Sequence, residues 1–215
     1  MTVETGVLWR VGYHESPLDF APPEMYAFNH RFDDVDKRFR TLYVASHPET
    51  CLREMLADFR PNVAAIQRFV ERYGPEAADD IPSQPITAKW RQLNVLAPVA
   101  LDVSGHIVDL TDVPTRHAIE RAHADLLAAH DLSHLDLHEI TTSRRPVTQT
   151  IAGALYDQGA AAVRFPSKLD GQDCIALFEG RGQLHLAGDI LTFTDPAPTA
   201  LLTVADEWAL TIETV

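Results

Sequence analysis

Short apolar runs that alternate irregularly with helical patterns are the feature that most restricts the fold of this chain. Buried strands are predicted for four such runs, GVLWRVG, TLYVA, AAVRF and CIALF, because each is apolar, short and bounded by polar or turn residues. The predicted strands of the last third follow one another closely in the sequence. This arrangement predicts a mixed α+β domain rather than a doubly wound parallel sheet.

Helical spacing of apolar residues predicts helices over residues 47–58, 62–73, 114–130 and 146–158. At the start of the first helix, Ser46 and Glu49 have the S-x-x-E form of a capping box. At the end of the last one, Gly159 is expected to act as the C-terminal cap. The core side of the first helix is expected to carry Leu52, Met55, Leu56 and Phe59.

Further strands are predicted in the middle and at the end of the chain. The runs LNVLAPVALDV and HIVDL flank Ser104-Gly105 and predict a β-hairpin or a sharp strand turn. LHLAGDILTF and the C-terminal WALTIETV predict two more strands. Residues 74–85 are rich in turn formers, so we expect one domain over residues 1–215 with a surface insertion or linker near 74–90.

Composition excludes several classes of function. The formal net charge of −13 disfavours binding to nucleic acid phosphates and to anionic lipid surfaces. No apolar run approaches the roughly 20 residues that span a bilayer, and the N-terminal segment lacks the pattern of a secretory signal. Two cysteines, Cys51 and Cys174, are too few for a disulfide framework, so we expect a cytoplasmic protein in which both are ordinary packed residues.

Two catalytic alternatives have weak support. His130, His134 and His138 follow one another at intervals of four residues, but the HExxH pattern of a zinc helix is absent. A solvated loop or helix end is the default interpretation of this segment, and we predict no metal site. The chain also lacks a GxSxG elbow, a GxGxxG loop and a P-loop, so any nucleotide must be bound without a glycine-rich signature.

Four separated segments carry the most informative pattern. They are LWRVG with Arg10, NHRFDD with Arg31, LYVASHPETCLREML with Tyr43 and Glu54, and VRFPSKLDG with Ser167. Together they resemble the RES-domain family, which is named for an Arg, a Glu and a Ser that match Arg31, Glu54 and Ser167 here. The resemblance covers most of the chain.

The chain departs from the family pattern at two positions. The family usually has glycine before the arginine of the second segment, where this chain has His30. The family's PETAL motif has alanine where this chain has Cys51.

The resemblance implies a fold similar to that of ADP-ribosyltransferase toxins, with NAD+ as a substrate rather than a cofactor. It implies NAD+ phosphorolysis or hydrolysis, or else ADP-ribose transfer to a protein, and a cognate antitoxin as partner. A homodimer is compatible with the sequence. A non-catalytic module that binds NAD+ stays open as an alternative from another class of function.

Residue chemistry suits NAD+. Guanidinium groups bind phosphate oxygens in pairs, which makes Arg10 and Arg31 candidates for the diphosphate. An aromatic ring can stack on the cationic nicotinamide, for which Tyr43 is the first candidate and Tyr26 the second. The simpler alternatives are that Arg10 braces the first strand and that Tyr43 belongs to the core.

Bond cleavage would fall to the three residues that name the family. A carboxylate stabilises the positive charge that develops on the ribose, a role that suits Glu54. Ser167 would hydrogen-bond to the ribose or to the nicotinamide amide, and Arg31 completes the catalytic set. Taken singly, Arg31 and Glu54 could be surface charges and Ser167 a turn residue.

Overall fold

The computed structural model describes residues 2–3, 6–80 and 84–215 and contains a mixed β-sheet with helices packed on it. The strands are β1 (Thr2–Val3), β2 (Leu8–Tyr13), β3 (Thr41–Ala45), β4 (Asn94–Val103), β5 (His106–Asp109), β6 (Ala160–Pro166), β7 (Asp173–Phe178), β8 (Gly182–Leu186) and β9 (Leu191–Thr192). The α-helices are α1 (Pro48–Leu56), α2 (Val63–Tyr73), α3 (Ala88–Leu93), α4 (Val113–Ala122), α5 (Ala124–Ala129), α6 (Leu137–Thr141), α7 (Arg145–Asp157) and α8 (Thr199–Glu207). Short 3-10 helices occupy Pro23–Met25, Ala57–Phe59 and Pro75–Asp80.

The strands are ordered β1-β4-β2-β3-β7-β6-β5, and β8 and β9 also pair with β4. Only the β5–β6 pair is parallel among the described pairings, so the sheet is mixed, and the predicted α+β class is confirmed. In the centre, β3 and β7 run antiparallel with Ala45 opposite Cys174. The start of α1, which follows β3, therefore lies beside the loop that joins β6 to β7.

Alternation along the strands separates two apolar clusters. On β3, Tyr43 and Ala45 face the cluster that includes residues of α1, α7 and α8, whereas Leu42 and Val44 face the other side. The fully buried members of this second cluster all come from strands. The face of the sheet that carries Leu42 and Val44 therefore packs against other strands. The opposite face carries the helices and the site.

Of the two alternatives predicted around Ser104-Gly105, the sharp strand turn is confirmed and the β-hairpin is wrong. The chain turns there, but β4 pairs with β2 whereas β5 pairs with β6 at the far edge of the sheet. A Cβ at Gly105 would lie 2.6 Å from the carbonyl oxygen of Gly159, so the turn is packed against the end of α7. The contact continues the β5–β6 pairing, which begins one residue later with His106 opposite Ala160.

The C-terminal strand predicted from WALTIETV is also wrong. Only Ile212 forms a bridge there, with Ile86. The preceding segment forms α8 instead, in which Leu201 and Val204 are fully buried against α1 and its neighbours. LHLAGDILTF is divided between β8 and β9, which both pair with β4.

Helix boundaries differ from the predictions in two places, and one side chain predicted to lie in the core is exposed. The helix predicted over 114–130 is broken at His123 into α4 and α5. The first helix begins after His47, so Glu49 is its second residue, and Ser46 bonds to the His47 ring instead of forming a capping box. Met55 is 43% exposed rather than in the core. The C-terminal end of α7 is as predicted, with Gly159 at φ +87° just after the helix.

The segment expected to be a surface insertion near 74–90 contains a 3-10 helix and the start of α3. Residues 81–83 of that prediction lie outside the described residues. Ile86 is fully buried, so the end of the segment is anchored in the core. Within the described ranges, none of the helices is long and apolar enough to cross a membrane.

Candidate functional site

The site is assembled from α1, the β6–β7 loop, the loop before β3, and α6 with α7. Glu54 lies on the exposed side of α1, on a different face from the fully buried Leu52. The hydroxyl of Ser167 donates to Oε1 of Glu54 over 2.6 Å. Two of the three predicted catalytic residues are therefore in direct contact.

Ser167 lies in a tight loop that its own side chain and backbone stabilise by hydrogen bonds. Its side chain is 2% exposed, and its Oγ accepts the N–H of Leu169 at 3.1 Å. Its backbone pairs with Gln172 and Gly171 across the loop, and Gly171 has a φ of +76°, a conformation that favours glycine. Because the hydroxyl accepts from Leu169, its proton is directed to Glu54.

The same loop is docked on α1 by a second carboxylate. Asp170 accepts hydrogen bonds from Thr50, at 2.7 Å, and from the Arg53 guanidinium, at 3.0 Å. Burial alone would raise the pKa of Asp170, but the hydrogen bonds from Thr50, Gln172 and Arg53 hold it below its ordinary value. These contacts fix the distance between α1 and the loop, and with it the Ser167–Glu54 pair.

Arg31 lies in a loop whose backbone is clamped by the first turns of α7. Thr148 donates its hydroxyl to the Arg31 carbonyl at 2.7 Å, and Gln149 donates to the His30 carbonyl at 2.9 Å. Arg145 donates to the carbonyl of Asn29. Three consecutive carbonyls are thus each bound by a side chain of α7, which fixes the path of the loop.

The Arg31 guanidinium points towards the end of α6. Its Nη1 donates to the carbonyls of Ile140, at 2.7 Å, and Thr142, two of the terminal carbonyls that a helix leaves without an internal partner. Burial lowers the pKa of Arg31, and the nearby carboxylate of Glu54 raises it. The cation therefore lies close enough to Glu54 for their charges to interact, and the structure brings Arg31, Glu54 and Ser167 together.

Tyr43 joins the Arg31 loop to the sheet. Its hydroxyl accepts the N–H of Phe32 at 3.0 Å, and its ring lies edge-on to Phe165, with 6.2 Å between centroids. Burial raises the pKa of Tyr43, so the hydroxyl is neutral. The ring centroid is also 5.8 Å from that of His30. Tyr43 therefore borders the site beside Arg31.

Tyr26 is hydrogen-bonded to a buried carboxylate and to the start of β3. Its hydroxyl donates to Asp33 at 2.5 Å and accepts the backbone N–H of Thr41 at 3.0 Å. Burial raises the pKa of Tyr26, and the hydrogen bond to Asp33 raises it further. The hydroxyl is committed to the buried carboxylate, so this tyrosine supports the loop.

Arg10 has the geometry of a brace. Its three guanidinium nitrogens donate to the carbonyls of Pro17, Tyr43 and Asp19, at 2.8, 3.2 and 3.3 Å. Burial lowers its pKa, and no other group outweighs that effect. These contacts tie β2 to the Pro-rich loop and to the backbone of β3, which is the simpler of the two alternatives weighed for this residue.

Neither the cysteines nor the histidine segment adds chemistry to the site. Cys51 and Cys174 are buried and free, as expected, and burial raises the pKa of both thiols, that of Cys51 to about 11. Across the described ranges, no group of three or more His, Cys, Asp or Glu side chains could hold a metal ion. The ring of His134 is largely exposed, at 72%.

Sequence reasoning missed the residues that position the site. Asp33, Thr148 and Asp170 are the clearest cases, because each binds the backbone or side chain of a predicted site residue or of its neighbour. A polar residue inside an apolar helical pattern, as in the Val147-Thr148 pair of α7, is a signal that could have indicated Thr148. The partners of Asp170 on α1 depend on tertiary contacts that no local pattern encodes.

An Arg, a Glu and a Ser that meet beside a half-buried tyrosine on a mixed sheet define a domain of the RES type. The sequence model of the RES domain matches residues 7–199, and the chain belongs to this family. A solved structure with a similar fold is a chain of the M. tuberculosis MbcT–MbcA toxin–antitoxin complex. The two share 17% sequence identity with a TM-score of 0.52, over 96% of this chain and 90% of that chain. A comparison with curated proteins found no match.

Proposed function

We propose that this protein binds NAD+ and cleaves its nicotinamide–ribose bond, with phosphate or water as the acceptor of ADP-ribose. The observation that carries the proposal is the 2.6 Å hydrogen bond from Ser167 to Glu54 beside the Arg31 cation. This hydrogen bond supports a fixed orientation of the Glu54 carboxylate, and Arg31 adds a positive charge to the same site. Membership of the RES family supports the same substrate.

Glu54 is assigned the central chemical role. Breaking the glycosidic bond leaves positive charge on the ribose ring, and a positioned carboxylate stabilises that charge in the transition state. Glu54 is exposed on one side and held by Ser167 on the other, which suits an oxygen that must face a bound ribose. Nicotinamide leaves as a neutral molecule, so the site needs no strong general acid.

Arg31 and Tyr43 are assigned to substrate binding. The Arg31 guanidinium donates both of its described hydrogen bonds from Nη1, which fixes the plane of the group. The edge of the guanidinium opposite Nη1 can then bind the diphosphate. The Tyr43 ring supplies an electron-rich surface for the cationic nicotinamide. Arg10 and Tyr26 act on binding through the loops that they hold.

ADP-ribosylation of a protein is the second candidate. Glu54 is exposed, which leaves space for a side chain of another protein to approach the ribose carbon. We also propose a cognate antitoxin as partner, because the structural neighbour comes from a toxin–antitoxin complex. We propose a cytoplasmic site of action, which the two free cysteines favour. Relief of growth arrest when a neighbouring gene is co-expressed tests this part.

The test is nicotinamide release from NAD+ by purified protein, with and without inorganic phosphate. Glu54→Gln is expected to lower the rate by about a hundredfold or more, because the charge that stabilises the transition state is lost. Asp58→Asn is the matched control, since Asp58 is an exposed carboxylate one turn further along the same segment. Intact NAD+ with the wild type, even beside candidate target proteins, would contradict the enzyme assignment and leave a binding module.

A further inference from the structure

His30 stands next to Arg31 in the loop that α7 holds through the His30 carbonyl. The imidazole is half exposed, with 50% of its side-chain surface accessible. Its ring lies 5.4 Å from that of Tyr26 and 5.8 Å from that of Tyr43, between centroids. An accessible imidazole therefore borders the same site as Arg31.

The orientation of His30 is fixed by a buried carboxylate. Asp33 is fully buried, and its Oδ2 accepts the backbone N–H of His30 at 2.7 Å and lies 3.1 Å from Nδ1 of the ring. Tyr26 and Thr41 both donate to the other oxygen, Oδ1. Oδ2 of Asp33 therefore holds the His30 ring, while Oδ1 is engaged by other donors.

The partner at Nδ1 decides which ring nitrogen is available. Burial alone would raise the pKa of Asp33, but hydrogen bonds from His30, Thr41 and Tyr26 hold it below its ordinary value, so the carboxylate is ionised and only accepts. The proton of a neutral imidazole must then sit on Nδ1. The lone pair is on Nε2, the nitrogen on the far side of the ring from Asp33, and the ring is half exposed. A carboxylate that orients a histidine in this way is a recurrent arrangement for general bases.

We propose that His30 is the general base that activates water at this site, so that the chain hydrolyses NAD+ to ADP-ribose. The inference rests on the proposed function and names its acceptor. As the water oxygen bonds to the anomeric carbon of the nicotinamide ribose, its proton passes to Nε2 of His30. The carbon–nitrogen bond breaks, its electron pair stays on the pyridine nitrogen, and neutral nicotinamide leaves. The imidazolium then releases the proton to solvent.

The charged and polar groups around the ring are compatible with this role. Asp33 faces Nδ1 and fixes the orientation of the ring. Arg31 follows in sequence but directs its Nη1 to the end of α6, and Gln149 binds the His30 carbonyl rather than the ring. Phosphate differs from water because its dianion attacks without a base, so phosphorolysis should not need His30.

The experiment separates the two acceptors. NAD+ is incubated with wild type and with His30→Asn, with and without inorganic phosphate, and both ADP-ribose and ADP-ribose 1″-phosphate are quantified. Asparagine can keep the hydrogen bond to Asp33 from the position of Nδ1, but it has no counterpart of Nε2. His30→Gly, which removes the whole side chain, is the second variant, and the thermal midpoint of each variant is measured beside its activity.

We expect wild type to form ADP-ribose without phosphate and His30→Asn to lower that rate by about a hundredfold while nicotinamide release in phosphate persists. An unchanged ratio of the two products overturns the inference, as does an equal loss of both, which would mean that His30 only shapes the loop. Wild type that releases nicotinamide only in phosphate also overturns it but leaves the proposed function intact. Wild type that releases no nicotinamide under either condition overturns both this inference and the proposed function.

Discussion

Ser167 and Glu54, which are 113 positions apart in the sequence, share a hydrogen bond of 2.6 Å across the junction of the β6–β7 loop and α1. The pairing depends on the antiparallel register of β3 and β7, which sets the end of one strand beside the start of the other. A buried hydroxyl that already accepts from Leu169 has one direction left for its proton. The geometry of the carboxylate is therefore set by the fold before any ligand binds.

Replacing this hydroxyl gives the first prediction. Ser167→Ala frees the Glu54 carboxylate to rotate and should lower nicotinamide release by about tenfold to a hundredfold. The unfolding free energy should fall by about 1–3 kcal/mol, because Leu169 and Glu54 each lose a hydrogen bond. Ser104→Ala is the matched control, because Ser104 donates to the Arg181 carbonyl away from the site. Equal rates for Ser167→Ala and wild type would show that the pair has no part in catalysis.

The clamp on the Arg31 loop gives the second prediction. Thr148→Val keeps the shape of the side chain but leaves the Arg31 carbonyl without its donor at 2.7 Å. We expect a loss of about 1–3 kcal/mol in the unfolding free energy, together with a lower rate of NAD+ cleavage, because the loop is no longer held. Thr150→Val, on the same helix, removes only a bond to the Pro146 carbonyl within α7. If both variants behave alike in activity, the clamp does not position Arg31.

Stability at acidic pH gives the third prediction. Asp33 has a folded-state pKa below its ordinary value of 3.8, so the unfolded chain binds its proton at higher pH than the folded chain does. Its contribution to stability is therefore complete above about pH 4 and is lost as the pH falls through the lowered folded pKa.

Urea unfolding of wild type and Asp33→Asn between pH 3 and pH 6 checks this. The wild type should lose stability on acidification, and the variant should be less stable at pH 6 but have a flatter dependence on pH. Equal slopes would mean that Asp33 is not stabilised in its ionised form. Asp36→Asn, a nearby exposed aspartate, serves as control.

The fourth prediction concerns the thiols. Cys51 and Cys174 are buried, and burial raises the pKa of both, so neither is a reactive thiolate near neutral pH. Iodoacetamide at pH 8 should leave the native protein unmodified and fully active, and both cysteines should react once the chain is unfolded in urea. Mass spectrometry gives the extent of modification. Rapid alkylation of the native protein with loss of activity would assign a cysteine to the site instead.

Much of the site could be predicted from sequence because its residues lie in short local motifs. TLYVA predicts β3 by its apolar pattern, and the family resemblance matches Arg31, Glu54 and Ser167, which the structure brings to one place. The parts that failed depend on distant partners. β5 pairs with β6, which is far away in the sequence, and that pairing has no local signal.

The roles of the flanking residues show the same division. Arg10 looks equally suited to a phosphate or to a brace from its sequence position, and only the carbonyls that surround it decide for the brace. Thr148 and Asp33 look like ordinary polar residues in the sequence. Only the structure shows that both hydrogen-bond to the backbone of the loop that carries Arg31. The candidate residues that lie together are thus predictable from motif, whereas the residues that hold them in place require the tertiary structure.

The most direct test of the central claim is a single reaction of wild-type protein with NAD+ in phosphate buffer, followed by proton NMR. We expect nicotinamide to appear in step with the loss of NAD+, one molecule for each, and Glu54→Gln to slow both changes by about a hundredfold or more while Asp58→Asn does not. Loss of NAD+ without free nicotinamide, or nicotinamide release at the wild-type rate in Glu54→Gln, would contradict the proposed function.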